Sequence, residues 1–398
     1  MKKIGIASFS ILAAQYIFAC LWVTASLFYI EAGAYMSEIR EFGYPSGAAS
    51  AYIFSMLFFF IIALISFTIA QTVNINKSNI AYRIGDYKLS TSRIYSILKI
   101  TLYPSLLILA FITSAPLISG LDRNVFWSSN AIGIQRILFN QLPLIAFVGG
   151  YIAIKKENGI TLKEISKHLL PVFLLQITYG ETFTGIFTAT VFFLIPICSE
   201  KRGIETLKNN KLAILTTIIS AAAALLAYKF LGKYVHGIGS GTELMMNRVL
   251  ALQGQVWWAI YTFGDQLSNG DYEGIRLLMY KISPSEVFNA YSAQGVNFTM
   301  GYPAILISEF DKSWLIIHTF FALGFGAILG ILRKLISKNK FFSSIIFIKI
   351  YSAYYVFITN GEIQDVISFK SLFYIVAASL ILYLERSRSV RFSIKAST

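Results

Sequence analysis

Charge is scarce in this sequence. Asp, Glu, Lys and Arg make up 14% of its 398 residues, about half the share found in an ordinary soluble domain. A water-exposed surface of this size would be left largely without ionised groups, which excludes a disordered tail and a typical cytosolic enzyme. Cysteine is also rare: Cys20 and Cys198 are the only two. They fall in or beside separate apolar runs, so a disulfide scaffold and metal–thiolate chemistry are set aside. No Walker loop, GxGxxG, HExxH or CxxC occurs, which leaves nucleotide-driven and zinc hydrolytic mechanisms without support.

Long apolar runs are what the chain has instead, with 56% hydrophobic residues. A bilayer core takes about 20 apolar residues per helix. Ten runs qualify as candidate spans: Ile4–Ile30, Ala51–Val73, Ile94–Ile118, Ile137–Ile154, Leu169–Thr178, Phe183–Ile197, Leu212–Leu231, Trp314–Leu332, Phe341–Ile358 and Ser371–Leu384. The fifth and sixth are short and share the polar hinge Tyr179-Gly180-Glu181-Thr182, which predicts a tight or half-inserted hairpin. The first follows Met-Lys-Lys but is long for a signal peptide and lacks a small-x-small cleavage site, so a retained anchor is expected. The expectation is an all-α polytopic membrane protein of about ten spans.

The formal charge of +14 is unevenly distributed. With the N-terminus placed inside and the spans alternating, the inner segments hold 22 Lys/Arg and 6 Asp/Glu. The outer segments hold 9 Lys/Arg and 14 Asp/Glu. This is the positive-inside bias, and it predicts both termini on the cytoplasmic side. It also removes nucleic acid as the reason for the basic excess. Lys99, Lys229 and Lys349 fall within spans; the first two lie near span ends, where a long stem snorkels to the headgroups. Lys349 is deeper and is a functional suspect or a residue paired inside the bundle.

The outer segment 232–313 stands between the seventh and eighth spans as a single large loop, long enough to be functional or a small subdomain. Within it, Ser283-Pro284-Ser285-Glu286 is a capping box with proline at the first helical position, and Gly295 is a natural stop. Glu243–Phe263 has helical length, with Arg248 and Gln255 on one face. Trp257 and Trp258 suit a membrane–water boundary as anchors, and equally a platform for the apolar face of a sugar.

Outer cations are few, so each is informative: Arg40, Arg123, Arg136, Arg248, Arg276, Lys233, Lys281, Lys312 and Lys370. Arginines on an acidic face suit bidentate work, because the guanidinium fork matches diphosphate oxygens; surface ion pairs and headgroup contacts are the plainer reading. Among the acids, Glu286 is expected to serve its cap, and Asp271 and Glu273 read as solvated turn residues. Glu309 and Asp311 precede the span that opens near Trp314 and are candidates for a general base. His236 lies outside the seventh span. His318, inside the eighth, reads as a hydrogen-bonded packing residue.

Two stretches go beyond topology. Asn297-Phe298-Thr299-Met300-Gly301-Tyr302-Pro303-Ala304-Ile305-Leu306-Ile307-Ser308-Glu309-Phe310 precedes the span that closes the loop, and Gly324-Phe325-Gly326-Ala327-Ile328-Leu329-Gly330 lies within that span. Together with Gly180-Glu181-Thr182-Phe183-Thr184-Gly185 between two mid-chain spans, they resemble bacterial O-antigen polymerases of the Wzy type. The family often has a basic residue after the glycine of that turn, where this chain has Glu181 and Thr182. The resemblance implies a GT-C-like membrane glycosyltransferase in the bacterial inner membrane, with its large loop in the periplasm. It would join undecaprenyl-diphosphate-linked oligosaccharide repeat units for lipopolysaccharide or another surface polysaccharide.

The lipid diphosphate already activates the sugar, so no cofactor is implied, and a polysaccharide chain-length regulator is a natural partner beside the bilayer itself. In this reading Arg248, Arg276 and Arg123 hold the diphosphate. Glu309 is the favoured base, with His236 or Asp311 behind it, and Trp257, Trp258, Gln255 and Tyr302 meet the glycan. An O-antigen ligase shares the architecture, and a membrane transporter or flippase is the rival from another class. Transport would favour internal repeats and polar groups near the bilayer midplane.

Overall fold

The computed structural model describes residues 2–33, 47–75, 82–84, 87–89, 91–121, 123–154, 161–181, 183–200, 218, 253–263, 274–293, 301–360, 372–377 and 379–381. The elements in order are α1 (Lys2–Leu12), α2 (Ala14–Glu31), α3 (Ala48–Ala70), strands β1 (Tyr82–Ile84) and β2 (Tyr87–Leu89), α4 (Thr91–Ile112), α5 (Pro116–Ser119) and α6 (Arg123–Val125). A single π turn, Phe126–Asn130, leads to α7 (Gly133–Phe139), α8 (Leu142–Ala153), α9 (Leu162–Thr178) and α10 (Phe183–Ser199). After the intervening segment come α11 (Gln255–Phe263), α12 (Gly274–Ile282), α13 (Ser285–Ala293), α14 (Ala304–Phe310), α15 (Trp314–Ser337) and α16 (Phe341–Asn360).

Among the described residues, six helices are long and apolar enough to cross a membrane: Ala14–Glu31, Ala48–Ala70, Thr91–Ser119, Gly133–Ala153, Asp311–Ser337 and Phe341–Thr359. Their outward faces carry large apolar side chains, with Phe54, Ile100 and Phe111 each 72% exposed. Water would penalise such a surface and lipid would not. The chain is an α-helical membrane protein in build.

Several details differ from the expected ten-span map. The first run is two helices broken at Ala13. The hinge hairpin is formed by α9 and α10, seventeen residues each, or about 25 Å, shorter than a ~30 Å hydrocarbon core. The seventh expected span, Leu212–Leu231, lies outside the described residues apart from Ile218, and the tenth is represented by the apolar helix Leu372–Ile381. The fold is not wholly helical either. In the basic connection after α3, β1 and β2 pair antiparallel, with Arg83 opposite Lys88.

Two helix pairs hold the bundle together through glycine. On α15 the small residues Ala322, Gly326 and Gly330 recur every four positions, forming a flat stripe that admits a neighbouring backbone. A Cβ on Gly326 would stand 2.0 Å from the Ala63 carbonyl oxygen of α3, and one on Gly330 would stand 2.7 Å from the Ala70 Cβ. The Ser66 hydroxyl crosses the same seam to donate to the Leu323 carbonyl at 2.7 Å. Gly150 of α8 meets α10 in the same way, its missing Cβ leaving room for the Phe193 carbonyl. Without a hydrophobic driving force between helices in lipid, close backbone packing of this kind supplies much of the association energy.

At the centre, Tyr16 meets Phe59 edge-on at 5.1 Å and Phe325 at 5.6 Å. Both cysteines are buried and unpaired. At its outer end, α3 begins at Gly47, whose φ of 97° is open to glycine, and the Glu31 carboxylate accepts from the Ala49 N–H at 2.9 Å. A carboxylate at that end offsets the helix dipole.

Candidate functional site

The outer ends of the bundle carry two groups of the expected residues, and they stand on different elements. The first is built around the glycine turn between α9 and α10. Gly180 has φ 74°, and a Cβ there would also meet Pro116 at 3.0 Å and Arg123 at 3.2 Å. Both constraints select glycine. The turn then presents Glu181, which is 9% exposed, to Arg123 of α6. Arg123 Nη2 and Glu181 Oε1 are 2.6 Å apart, the arginine side chain remaining 45% exposed. The carboxylate engages one edge of the guanidinium and leaves donors facing outward.

This arrangement revises one reading of the turn. A cation is missing after the glycine in the sequence, yet Arg123 places one there from another segment.

An aromatic floor supports the pair. Trp127, in the π turn, stacks on Tyr179 with centroids 5.6 Å apart at 21°. Arg136 of α7 donates through Nη2 to the Trp127 carbonyl and lies over the Trp127 ring at 5.9 Å. Gln135 is fully buried and satisfied. Its Nε2 donates to Tyr179 Oη and Thr113 Oγ1, each at 2.9 Å, while its Oε1 accepts from the Ile132 N–H at 3.2 Å. Tyr179 donates in turn to the Leu106 carbonyl at 2.6 Å. Burial raises the Tyr179 pKa, with the Gln135 hydrogen bond pulling the other way, so the phenol stays a neutral donor. Two outer arginines thus flank one rigid cluster at the α9–α10 turn.

The second group lies on the large loop. Helix α11 is not a surface helix at the membrane boundary. Its Trp257 and Trp258 are 4% and 0% exposed, and Trp257 Nε1 donates to the Ala48 carbonyl at 2.9 Å. Gly254, just before the helix, donates its N–H to Ser26 Oγ at 2.8 Å, an approach close enough that a Cβ would sit 3.0 Å from the Leu27 nitrogen. The loop therefore clamps the outer ends of α2 and α3.

A sugar platform needs an open ring face, and neither tryptophan has one; both are packing residues. Gln255 is likewise 1% exposed, with its Oε1 buried and unpartnered. Replacing Trp257 by phenylalanine removes the hydrogen bond and one ring of the indole while keeping an aromatic side chain. Its expected cost is about 1–3 kcal/mol, read as a fall in melting temperature in detergent; replacement by alanine should cost about 3–5 kcal/mol.

Tyr302 is also turned inward. Its hydroxyl donates to His318 Nδ1 at 2.7 Å, and His318 Nε2 donates to the Ser55 carbonyl at 3.2 Å, so each ring nitrogen is spent on protein. His318 is the packing histidine expected from its place in a span. Tyr302 is 2% exposed and is no glycan contact in this arrangement.

Arg276, on α12, is exposed, while Leu277, Met279 and Ile282 of the same helix are buried. Glu309 and Asp311 are exposed where α14 ends, Asp311 with a φ of 42°, a conformation uncommon for a residue other than glycine. Helices α12 and α14 pack against each other, so Arg276 and Glu309 stand on neighbouring elements. Arg248 and His236 lie outside the described residues. Helix α13 starts at Ser285, where the Ser283-Pro284 signal puts a helix N-terminus.

The local pattern gave no signal for the Arg123–Glu181 pair, nor for a buried pair on the opposite side. There Tyr95 Oη lies 2.6 Å from His168 Nδ1, with Glu164 Oε2 3.5 Å from His168 Nε2. Among the described residues no group of three or more His, Cys, Asp or Glu could hold a metal ion.

Residues 268–375, less than half of the chain, match a protein family of unknown function, DUF6418. This stretch contains Arg276, Tyr302, Glu309, Asp311 and His318 and leaves out Arg123 and Glu181. No curated protein and no solved structure matches the chain.

Proposed function

We propose that the chain is a glycosyltransferase of the bacterial inner membrane that joins undecaprenyl-diphosphate-linked oligosaccharide repeat units on the outer side. The observation that carries this reading is the half-exposed Arg123 guanidinium, held on Glu181 at 2.6 Å, on a face where sequence charge is otherwise net acidic. A cation fixed before the substrate arrives suits a diphosphate leaving group, because it stabilises charge as that charge develops and needs no reorganisation. Arg136, oriented by Trp127, is the second cation of this cluster, and Arg276 and Arg248 of the large loop complete the set.

In the reaction the acceptor hydroxyl oxygen bonds to the anomeric carbon as the bond from that carbon to the lipid diphosphate breaks. The hydroxyl proton passes to a base, for which the exposed Glu309 is the favoured group, with Asp311 and His236 behind it. The bond electrons leave with the diphosphate towards the arginines. The transition state is oxocarbenium-like, as in glycoside hydrolysis.

One observation favours a transport reading instead. The span Gly133–Ala153 is interrupted between α7 and α8, and Lys349 Nζ donates to Gln141 Oε1 at that break, at 2.7 Å. Broken helices beside a polar group deep in the membrane are a transporter's device. The lipopolysaccharide ladder of a deletion strain complemented with this gene separates the readings. A polymerase deletion leaves one repeat unit on the core, and complementation restores the ladder. A ligase or flippase deletion leaves the core bare, and that result overturns the proposal.

A further inference from the structure

On the inner side, α4 and α9 begin next to each other, joined through the Tyr95–His168 hydrogen bond of 2.6 Å. Lys99 is one turn deeper on α4 than Tyr95, yet its Nζ stands 4.5 Å from the centroid of the Tyr95 ring. The side chain therefore bends back towards the inner end of the helix, as a snorkelling lysine does. Lys167 directly precedes His168 and is exposed, so the Tyr95–His168 contact puts a second cation at the same inner end, on the neighbouring helix.

The acid of this region, Glu164, lies beside His168 at 3.5 Å. The ion pairs among the described residues, Arg123–Glu181 and His168–Glu164, include neither lysine. The inner cations Arg333 and Lys334, in contrast, are engaged with Gln71 of α3.

The surface beyond these ammonium groups is ordered by depth. Lys163, Lys167, Leu170 and Leu174 are all exposed, and their spacing of four, three and four puts them on one face of α9. Leu170 and Leu174 are 54% and 57% exposed. On α4, Ile97 and Ile100 are 56% and 72% exposed, on the side of the helix turned away from Tyr95. Cations at the inner end and open apolar side chains deeper in match the profile of a phospholipid, with its phosphate at the surface and acyl chains in the core. Two cations at the inner end of one seam are both stabilised by an anion that reaches them.

We propose that the inner end of the α4–α9 seam is a binding site for an anionic glycerophospholipid of the cytoplasmic leaflet. Lys99 and Lys167 take the phosphodiester in charge-assisted hydrogen bonds, and an acyl chain runs along Leu170 and Leu174. Basic pockets between membrane helices on this side are a known means of holding such headgroups.

The test is native mass spectrometry of the full chain in neutral detergent, titrated with phosphatidylglycerol and separately with phosphatidylcholine. The wild type should retain phosphatidylglycerol preferentially, and excess inorganic phosphate should not displace it. The double variant Lys99→Gln, Lys167→Gln should bind the first phosphatidylglycerol about tenfold more weakly. Lys99→Arg with Lys167→Arg should retain it. The double variant Lys334→Gln, Lys338→Gln, which removes equal charge from the inner end of α15, should change binding by less than about twofold. Melting temperatures of all variants report whether each is folded. Equal weakening in both glutamine pairs, equal retention of the two lipids, or displacement by free phosphate would overturn the site.

Discussion

Gly326→Ala should be severely damaging for a change of a single methyl group. The added Cβ would stand 2.0 Å from the Ala63 carbonyl oxygen and 2.9 Å from the Ala63 Cα. These are backbone atoms in the middle of a 23-residue helix, so no side chain can swing away to make room. Relief requires α3 and α15 to separate, and separation loosens the Gly330 contact and the Ser66–Leu323 hydrogen bond on the same seam.

Overpacking ordinarily costs about 1–3 kcal/mol; with backbone as the obstacle, about 3 kcal/mol is expected. That is a large part of the roughly 5–15 kcal/mol that separates folded from unfolded protein. Thermal unfolding in detergent, followed by size-exclusion chromatography, should give a clear fall in melting temperature and in monodisperse yield. Gly133→Ala is the control, since a Cβ there meets nothing within 4 Å, and it should melt within about 0.5 kcal/mol of the wild type. A Gly326→Ala protein as stable as that control would show that the helices do not meet as described.

Arg123→Ala should abolish chain extension while leaving the protein folded. The two halves of this expectation rest on different magnitudes. The Arg123 side chain is 45% exposed but that of Glu181 only 11%, so losing the pair costs more than the ~0–1 kcal/mol of a fully exposed one, yet less than the ~3–5 kcal/mol of breaking a fully buried pair. Removing a preorganised donor to a leaving group typically slows an enzyme by about a hundredfold or more. Polymer length on a lipopolysaccharide gel should therefore collapse to short products at wild-type protein level.

Arg123→Lys should be poor as well, because an ammonium lacks the fork that spans diphosphate oxygens. The exchange Arg123→Glu with Glu181→Arg restores the pair but moves the cation onto the turn. It should keep the melting temperature and fail to restore the polymer. Wild-type polymer in Arg123→Ala, or recovery in the exchanged pair, would place the arginine in the fold and outside the site.

Much of the bundle was legible in the sequence because lipid enforces a simple rule: every backbone polar group must be satisfied within the segment. The run Ala51–Val73 predicted α3 to within three residues at each end, and Trp314–Leu332 anticipated most of α15. The polar hinge at 179–182 correctly announced a hairpin. Hydropathy was silent about the break at Ala13 and the interruption between α7 and α8, since a helix can change direction without a change in apolar content.

The tryptophans illustrate a different limit. Trp257 and Trp258 have the composition of boundary residues, but Gly254 and Ser26 permit a backbone approach that buries both rings against α2 and α3. No local pattern encodes that approach.

By itself the sequence determined the solvent of this protein, since low charge and long apolar runs require lipid, and the distribution of lysine and arginine supplied an expected sidedness. It also marked Arg123 and the glycine turn as separate features. Only the tertiary structure decided that they are one feature, that Arg136 shares their aromatic floor, and that Tyr302 and the tryptophans belong to the core. The physical reason is that hydropathy and charge act residue by residue along the chain, whereas an ion pair, a stacked ring or a glycine crossing exists only where distant segments meet.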